Sequence, residues 1–184
     1  MIKTISLIAV IALGISSTFA DTKPFHGKPY AIPGKIEAEH WDKGKAGVAY
    51  HDIDPQNRGE NYREETQVDI EKRPDASNGH GIGWTKRGEW LIYTVSIEET
   101  GSYSVTMPVA SKKKGGRFHF EIDGKDVSGA IHVPDTGSWQ QLKVITHKGV
   151  KLKKGVHQMK LCLDEEGDSK SIGDIDYFLF EKEE

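Results

Sequence analysis

The chain has 184 residues, 36% of them hydrophobic, and a formal net charge of −3 at neutral pH, which suits one core and leaves no basic surplus for a nucleic-acid partner. Its basic clusters, SKKKGGR at 111–117 and VKLKKG at 150–155, adjoin glycines and read as solvated turns. One cysteine, Cys162, leaves no intramolecular disulfide to form; without a neighbouring pattern to lower its pKa it reads as a buried strand thiol.

Residues 1–20, MIKTISLIAVIALGISSTFA, place one lysine before an apolar run and a small-residue boundary at Ala20. This is the pattern of a secretory signal peptide, and no stretch reaches the roughly 18 apolar residues of a membrane span. An exported protein, extracellular or periplasmic, with no membrane partner is expected. Residues 21–34, DTKPFHGKPYAIPG, carry three prolines, two glycines and no period, and read as an extended linker. A single domain is expected over 35–181, with 182–184 as a tail.

From Ile36 onward, short runs rich in Val, Ile, Tyr, Phe and Thr alternate with Gly, Asn, Asp and Ser. The clearest predicted strands are GEWLIYTVSI, GSYSVTMPVAS, GRFHFEID, SWQQLKVITHKGVKL, VHQMKLCLDEE and GDIDYFLF, a spacing that indicates an all-β antiparallel sandwich. Period two puts Tyr103, Val105, Met107 and Val109 on one face, and Phe118, Phe120 and Ile122 on another. Asp123-Gly124 marks a tight hairpin turn.

Catalytic patterns are thin. EIDGKD at 121–126 invites comparison with the E-x-D-x-x-E signature of glycoside hydrolase family 16, but the third position is Asp126 and the turn at Asp123-Gly124 ends the strand too early. A small hydrolase using Glu121 and Asp123 is therefore the weaker alternative, as is an adhesive sandwich protein. There is no G-x-S-x-G elbow, no H-x-x-x-H pair and no Cys/His cluster for zinc in the linear order. His51, beside Asp52 and Asp54, reads as a solvated turn rather than a transition-metal site.

The ordered motifs IEAEHWD, GVAYHDIDPQNRGENYR, VDIE, GWTKRGEWLIYTV, GSYSVTMPVAS, FHFEIDGK, VPDTGSWQ and GDIDYFLF together resemble carbohydrate-binding module family 6 over residues 34–180. The resemblance implies a jelly-roll sandwich, no catalysis, a structural calcium ion (Ca2+) and a sugar site among the loops at one end. It assigns a sugar clamp to Tyr62 and Trp139, with Asn61 and Asp174 as polar partners, and Trp84 and Trp90 to the core; Glu60, where the family often has glycine, could line the cleft but is expected to point to solvent. Aromatic rings suit the apolar C–H faces of a pyranose, while hydroxyls need polar partners in the ring plane. An ionised Asp174 accepts hydrogen bonds without donating any, so a neutral glycan is expected and acidic sugars are repelled.

For calcium the resemblance assigns Glu37, Glu39, Asp176 and the backbone carbonyl of Arg63. Glu37 and Glu39 alternate along one strand and share a face, and grouped carboxylates repel one another without a cation. The expected partner is a polysaccharide or oligosaccharide, bound by a monomer that works alone or beside a separate glycoside hydrolase.

Overall fold

The structure, a computed structural model, describes residues 21–60 and 62–184. The expected signal peptide and Asn61 lie outside the described residues. Strands run in chain order as β1 (Tyr30–Ile32), β2 (Gly34–Glu37), β3 (Tyr50–His51), β4 (Ile70–Lys72), β5 (His80–Ile82), β6 (Trp90–Ile97) and β7 (Gly101–Ala110). They continue as β8 (Arg117–Ile122), β9 (Lys125–Asp126), β10 (Ile131–His132), β11 (Lys143–Leu152), β12 (Gly155–Glu165), β13 (Asp174–Ile175) and β14 (Tyr177–Lys182).

Two sheets form from these strands. One has the order β1-β6-β12-β8-β10, with β3 beside β6 and β9 beside β8; the other has the order β2-β14-β7-β13-β5-β4, with β11 on β7. The alternation read from the sequence holds: Tyr103, Val105, Met107, Val109 and Phe118 are fully buried, Phe120 nearly so, and Ile122 is half-buried. Phe120 meets Phe178 and Phe180 edge-on at 5.0 and 5.7 Å between ring centroids. Each such ring contributes roughly 1.5–3 kcal/mol by burial, and edge-to-face contact suits the ring quadrupole. Asp123 (φ 49°) and Gly124 (φ 76°) make the hairpin turn between β8 and β9, as their sequence predicts.

Three expectations differ. The stretch expected as a linker supplies β1, which pairs in parallel with β6 through Tyr30↔Val95 and Ile32↔Ile97; its prolines flank the strand and leave the paired residues free to bond. Residues 138–142 of the predicted SWQQLKVITHKGVKL strand lie outside β11, which begins at Lys143. GDIDYFLF is split at Asp176, whose amide donates to the Pro108 carbonyl at 3.1 Å and whose carbonyl accepts from Ala38 at 2.9 Å.

Candidate functional site

A cavity of about 290 Å³ opens among the loops, with Trp84, Trp139, Glu71, Asp174, Arg58 and Lys86 in its wall. Trp84 follows β5 and is 41% exposed. Its backbone is held at φ 48°, a left-handed conformation that a bulky residue rarely adopts and that tends to occur where a side chain must be aimed. Glu89 steadies the turn after it: a carboxylate oxygen accepts the Lys86 amide at 2.8 Å. Burial pushes the Glu89 pKa up to about 8.

Arg73 holds the opposite wall. Its guanidinium is 2% exposed and donates to Glu71 at 2.8 Å, to Asp174 at 2.7 Å, to Asp75 at 3.1 and 3.2 Å and to the Trp139 carbonyl at 2.7 Å. Five planar donors in a fixed fork suit this convergence. The Trp139 loop is thereby tied to the end of β4. On the same rim Gly59 packs so closely on β4 that a Cβ there would lie 1.9 Å from the Ile70 carbonyl oxygen, and the Glu60 amide donates to that oxygen at 2.8 Å. Glu60 itself is exposed, as expected.

Of the described residues that the sequence assigns to sugar, two meet at this cavity and one does not. Trp139 and Asp174 line the cavity, but Tyr62 does not. The Tyr62 ring is stacked on His80 at 4.5 Å, and its hydroxyl is hydrogen-bonded to His40 Nε2 at 2.7 Å. Its polar end is thus engaged within the protein, and Trp84 supplies the second aromatic of the cavity. Trp84 and Trp90 are not core residues: Trp90 is half-buried on the outer face of its sheet, with the Lys160 ammonium 4.8 Å from its ring centre. Asp174 has one oxygen on Arg73, and burial together with the Glu71 charge raises its pKa. It shapes the wall more than it offers a free acceptor.

The calcium candidates meet around the turn between β4 and β5. Asp176 accepts the Ser77 amide with both oxygens at 3.1 Å, Glu37 accepts the Ser77 hydroxyl at 2.7 Å, and Glu39 Oε1 accepts the Asn78 amide at 2.5 Å. Glu39 Oε2 is buried without a partner, and burial pushes the Glu39 pKa up to about 7. A buried carboxylate oxygen lacking a donor, beside two further carboxylates, fits a hard divalent cation. The Arg63 carbonyl does not fit: it already accepts the Thr66 amide at 2.9 Å and hydroxyl at 3.0 Å. Arg63 instead serves the fold, with its guanidinium 3.8 Å from the Trp41 ring centre and bonded to the Trp41 carbonyl at 2.6 Å.

Cys162 is half-buried, and burial pushes its pKa up to about 12, as expected of an unactivated strand thiol. His51 is exposed on β3, and Asp52 is engaged by the Asp54 amide at 2.7 Å.

A sandwich of strands, without a helix among the described residues and with an aromatic-lined cavity at its loops, has the build of a small-ligand-binding module. The sequence profile of Carbohydrate binding module (family 6) matches residues 58–182, and the chain belongs to that family and is a carbohydrate-binding module. A beta-1,3-glucan binding member from Bacillus halodurans superposes with a TM-score of 0.62 at 25% identity, over 83% of this chain and 98% of that one. The module from Cellvibrio mixtus lichenase 5A, solved with cellotriose, gives 0.59 at 26% identity over 83% and 99%. Part of a beta-agarase of Microbulbifer thermotolerans is 26% identical over 69 residues, 38% of this chain and 16% of that protein. The clotting factor G alpha subunit of Tachypleus tridentatus is 29% identical over 92 residues, 49% of this chain and 14% of that protein. The match therefore spans only a small part of either of these two longer relatives.

Proposed function

We propose that this chain is an exported, non-catalytic module that holds a neutral polysaccharide or oligosaccharide against Trp84 and Trp139. The carrying observation is that two indoles and a set of polar side chains, most of them already paired, share one open cavity. Indole faces suit the C–H faces of a pyranose, and the surrounding polar groups suit its hydroxyls. Most of the charges are matched: Arg58 pairs with Asp54, Lys86 with Glu166 at 3.5 Å, and Arg73 with Glu71, Asp75 and Asp174, while Lys170 lines the cavity without an ion pair among the described residues. A neutral ligand then disturbs no ion pair.

Export is supported by the leader pattern at 1–20. The β-glucan and cellotriose ligands of the similar modules support a neutral glycan, and the likeness to part of a beta-agarase supports a place in polysaccharide breakdown, which this reading assigns to a monomer beside a separate glycoside hydrolase. Glu37, Glu39 and Asp176 would hold a structural calcium ion, whose charge lets the three carboxylates stay ionised together.

Calorimetric titration with neutral oligosaccharides from agar, xylan and β-glucans tests the sugar site. Binding to at least one series is expected, weakened at least tenfold by Trp139→Ala. Failure to bind every series, or an unchanged affinity in the variant, would overturn the reading.

A further inference from the structure

The outward face of the β6-β12-β8 sheet carries a second constellation. Cys162 on β12 lies directly across from His119 on β8. Two residues along β8, Glu121 falls on the same outward face, as does Asp164 two residues along β12. Ligand atoms of His119, Glu121 and Cys162 all lie within 4.8 Å of one another. His119 Nε2 is 3.5 Å from Glu121 Oε1. Tetrahedral zinc, with bonds of about 2.0–2.3 Å to nitrogen, oxygen and sulfur, sets its ligands roughly 3.3–3.8 Å apart.

A further side chain prepares the imidazole. Asp164 accepts Nδ1–H of His119 at 2.8 and 2.9 Å, which orients the ring and leaves Nε2, on the Glu121 side, as the nitrogen a metal would take. Metal-bound histidines are regularly oriented in this way by a carboxylate on the other ring nitrogen. Lys160, 4.0 Å from Glu121 Oε2, lies on the other oxygen of that carboxylate and leaves Oε1 on the histidine side. None of these residues lines the loop cavity.

We propose that His119, Glu121 and Cys162 form a zinc site on the sheet face, with Asp164 as the positioning residue and water completing the tetrahedron. The donor set favours this ion. A thiolate with one imidazole suits zinc and is a poor match to calcium or magnesium, which take oxygen ligands. Binding replaces the thiol proton by a metal–sulfur bond and releases that proton to solvent, with no change of oxidation state.

The full chain, stripped by chelation and kept reduced, is titrated with zinc against a chromophoric competitor in millimolar calcium, which keeps the oxygen-ligand site separate. One equivalent per chain is expected, with affinity falling at least tenfold in Cys162→Ser and in His119→Gln, and about 10–100-fold in Asp164→Asn. Cobalt should give a thiolate-to-metal charge-transfer band in the near ultraviolet that Cys162→Ser removes. Circular dichroism and thermal melts establish that each variant is folded. Absence of stoichiometric zinc, absence of the charge-transfer band, or a folded Cys162→Ser chain that binds zinc like the parent would overturn the assignment.

Discussion

Replacing Trp84 by alanine gives the sharpest separation between the cavity described above and a clamp centred on Tyr62. Trp84 is 41% exposed, which for a side chain of up to about 250 Å² leaves roughly 100 Å² to offer a ligand. A pyranose covering one ring face takes about half of that, or ~1.3 kcal/mol at ~25 cal/mol per Å². Stacking adds roughly 0.5–1.5 kcal/mol, so Trp84→Ala should cost about 2 kcal/mol, some 30-fold in Kd. Tyr62→Phe removes only a hydroxyl already bonded to His40 and should leave Kd within about twofold. Calorimetry on whichever oligosaccharide binds the parent reads both variants, with a thermal melt to establish that they fold. A Trp84→Ala protein that binds like the parent, or a Tyr62→Phe protein that loses affinity by the larger factor, refutes the reasoning.

Arg73→Met leaves Asp174, Glu71 and Asp75 without their shared cation and frees the Trp139 carbonyl; urea unfolding should show a loss of about 3–5 kcal/mol, and sugar affinity should fall with it. Glu89, 9% exposed, has its pKa raised from 4.5 to about 8 by burial, so the folded state holds a proton that the unfolded chain releases first. Stability should therefore fall as pH rises through that interval, by roughly 3 kcal/mol at pH 7; Glu89→Gln, which keeps an acceptor for the Lys86 amide, should flatten this slope in melts across pH. Calcium removal should lower Tm, because a ligand of the native state stabilises it by mass action. Glu39→Gln should abolish that calcium dependence, measured by melts with and without chelator.

Much of the sandwich was legible because strand periodicity reports burial directly. Residues such as Val105 and Phe118 alternate with polar neighbours, and each one-sided strand needs a core beneath it. β1 was hidden because its partner strand is remote in sequence and prolines bracket it. The cavity was half legible: Trp139 follows from its motif, but Trp84 reads as core because the family resemblance assigns the GW…GEW segment to the fold. In the fold Trp84 combines a left-handed backbone with an exposed ring, and the sequence signals neither. Arg73 gave no signal, since EKRPD contains no hint that five bonds converge on its guanidinium. Cys162 was legible as a strand thiol, but its meeting with His119 depends on a cross-strand register that the linear order does not contain.

The turn between β4 and β5 has one further consequence. Its Arg73 end fastens the Trp139 loop, while its Ser77 and Asn78 end bonds the carboxylates proposed to hold calcium. Were the proposed ion to order the turn, the proposed sugar cavity would be expected to respond, and thermodynamic linkage would make the effect reciprocal. If calcium tightens sugar binding by a given factor, the sugar must tighten calcium binding by that same factor, so the two ligands are expected to act as mutual effectors through seven residues of backbone, Arg73 to Gly79.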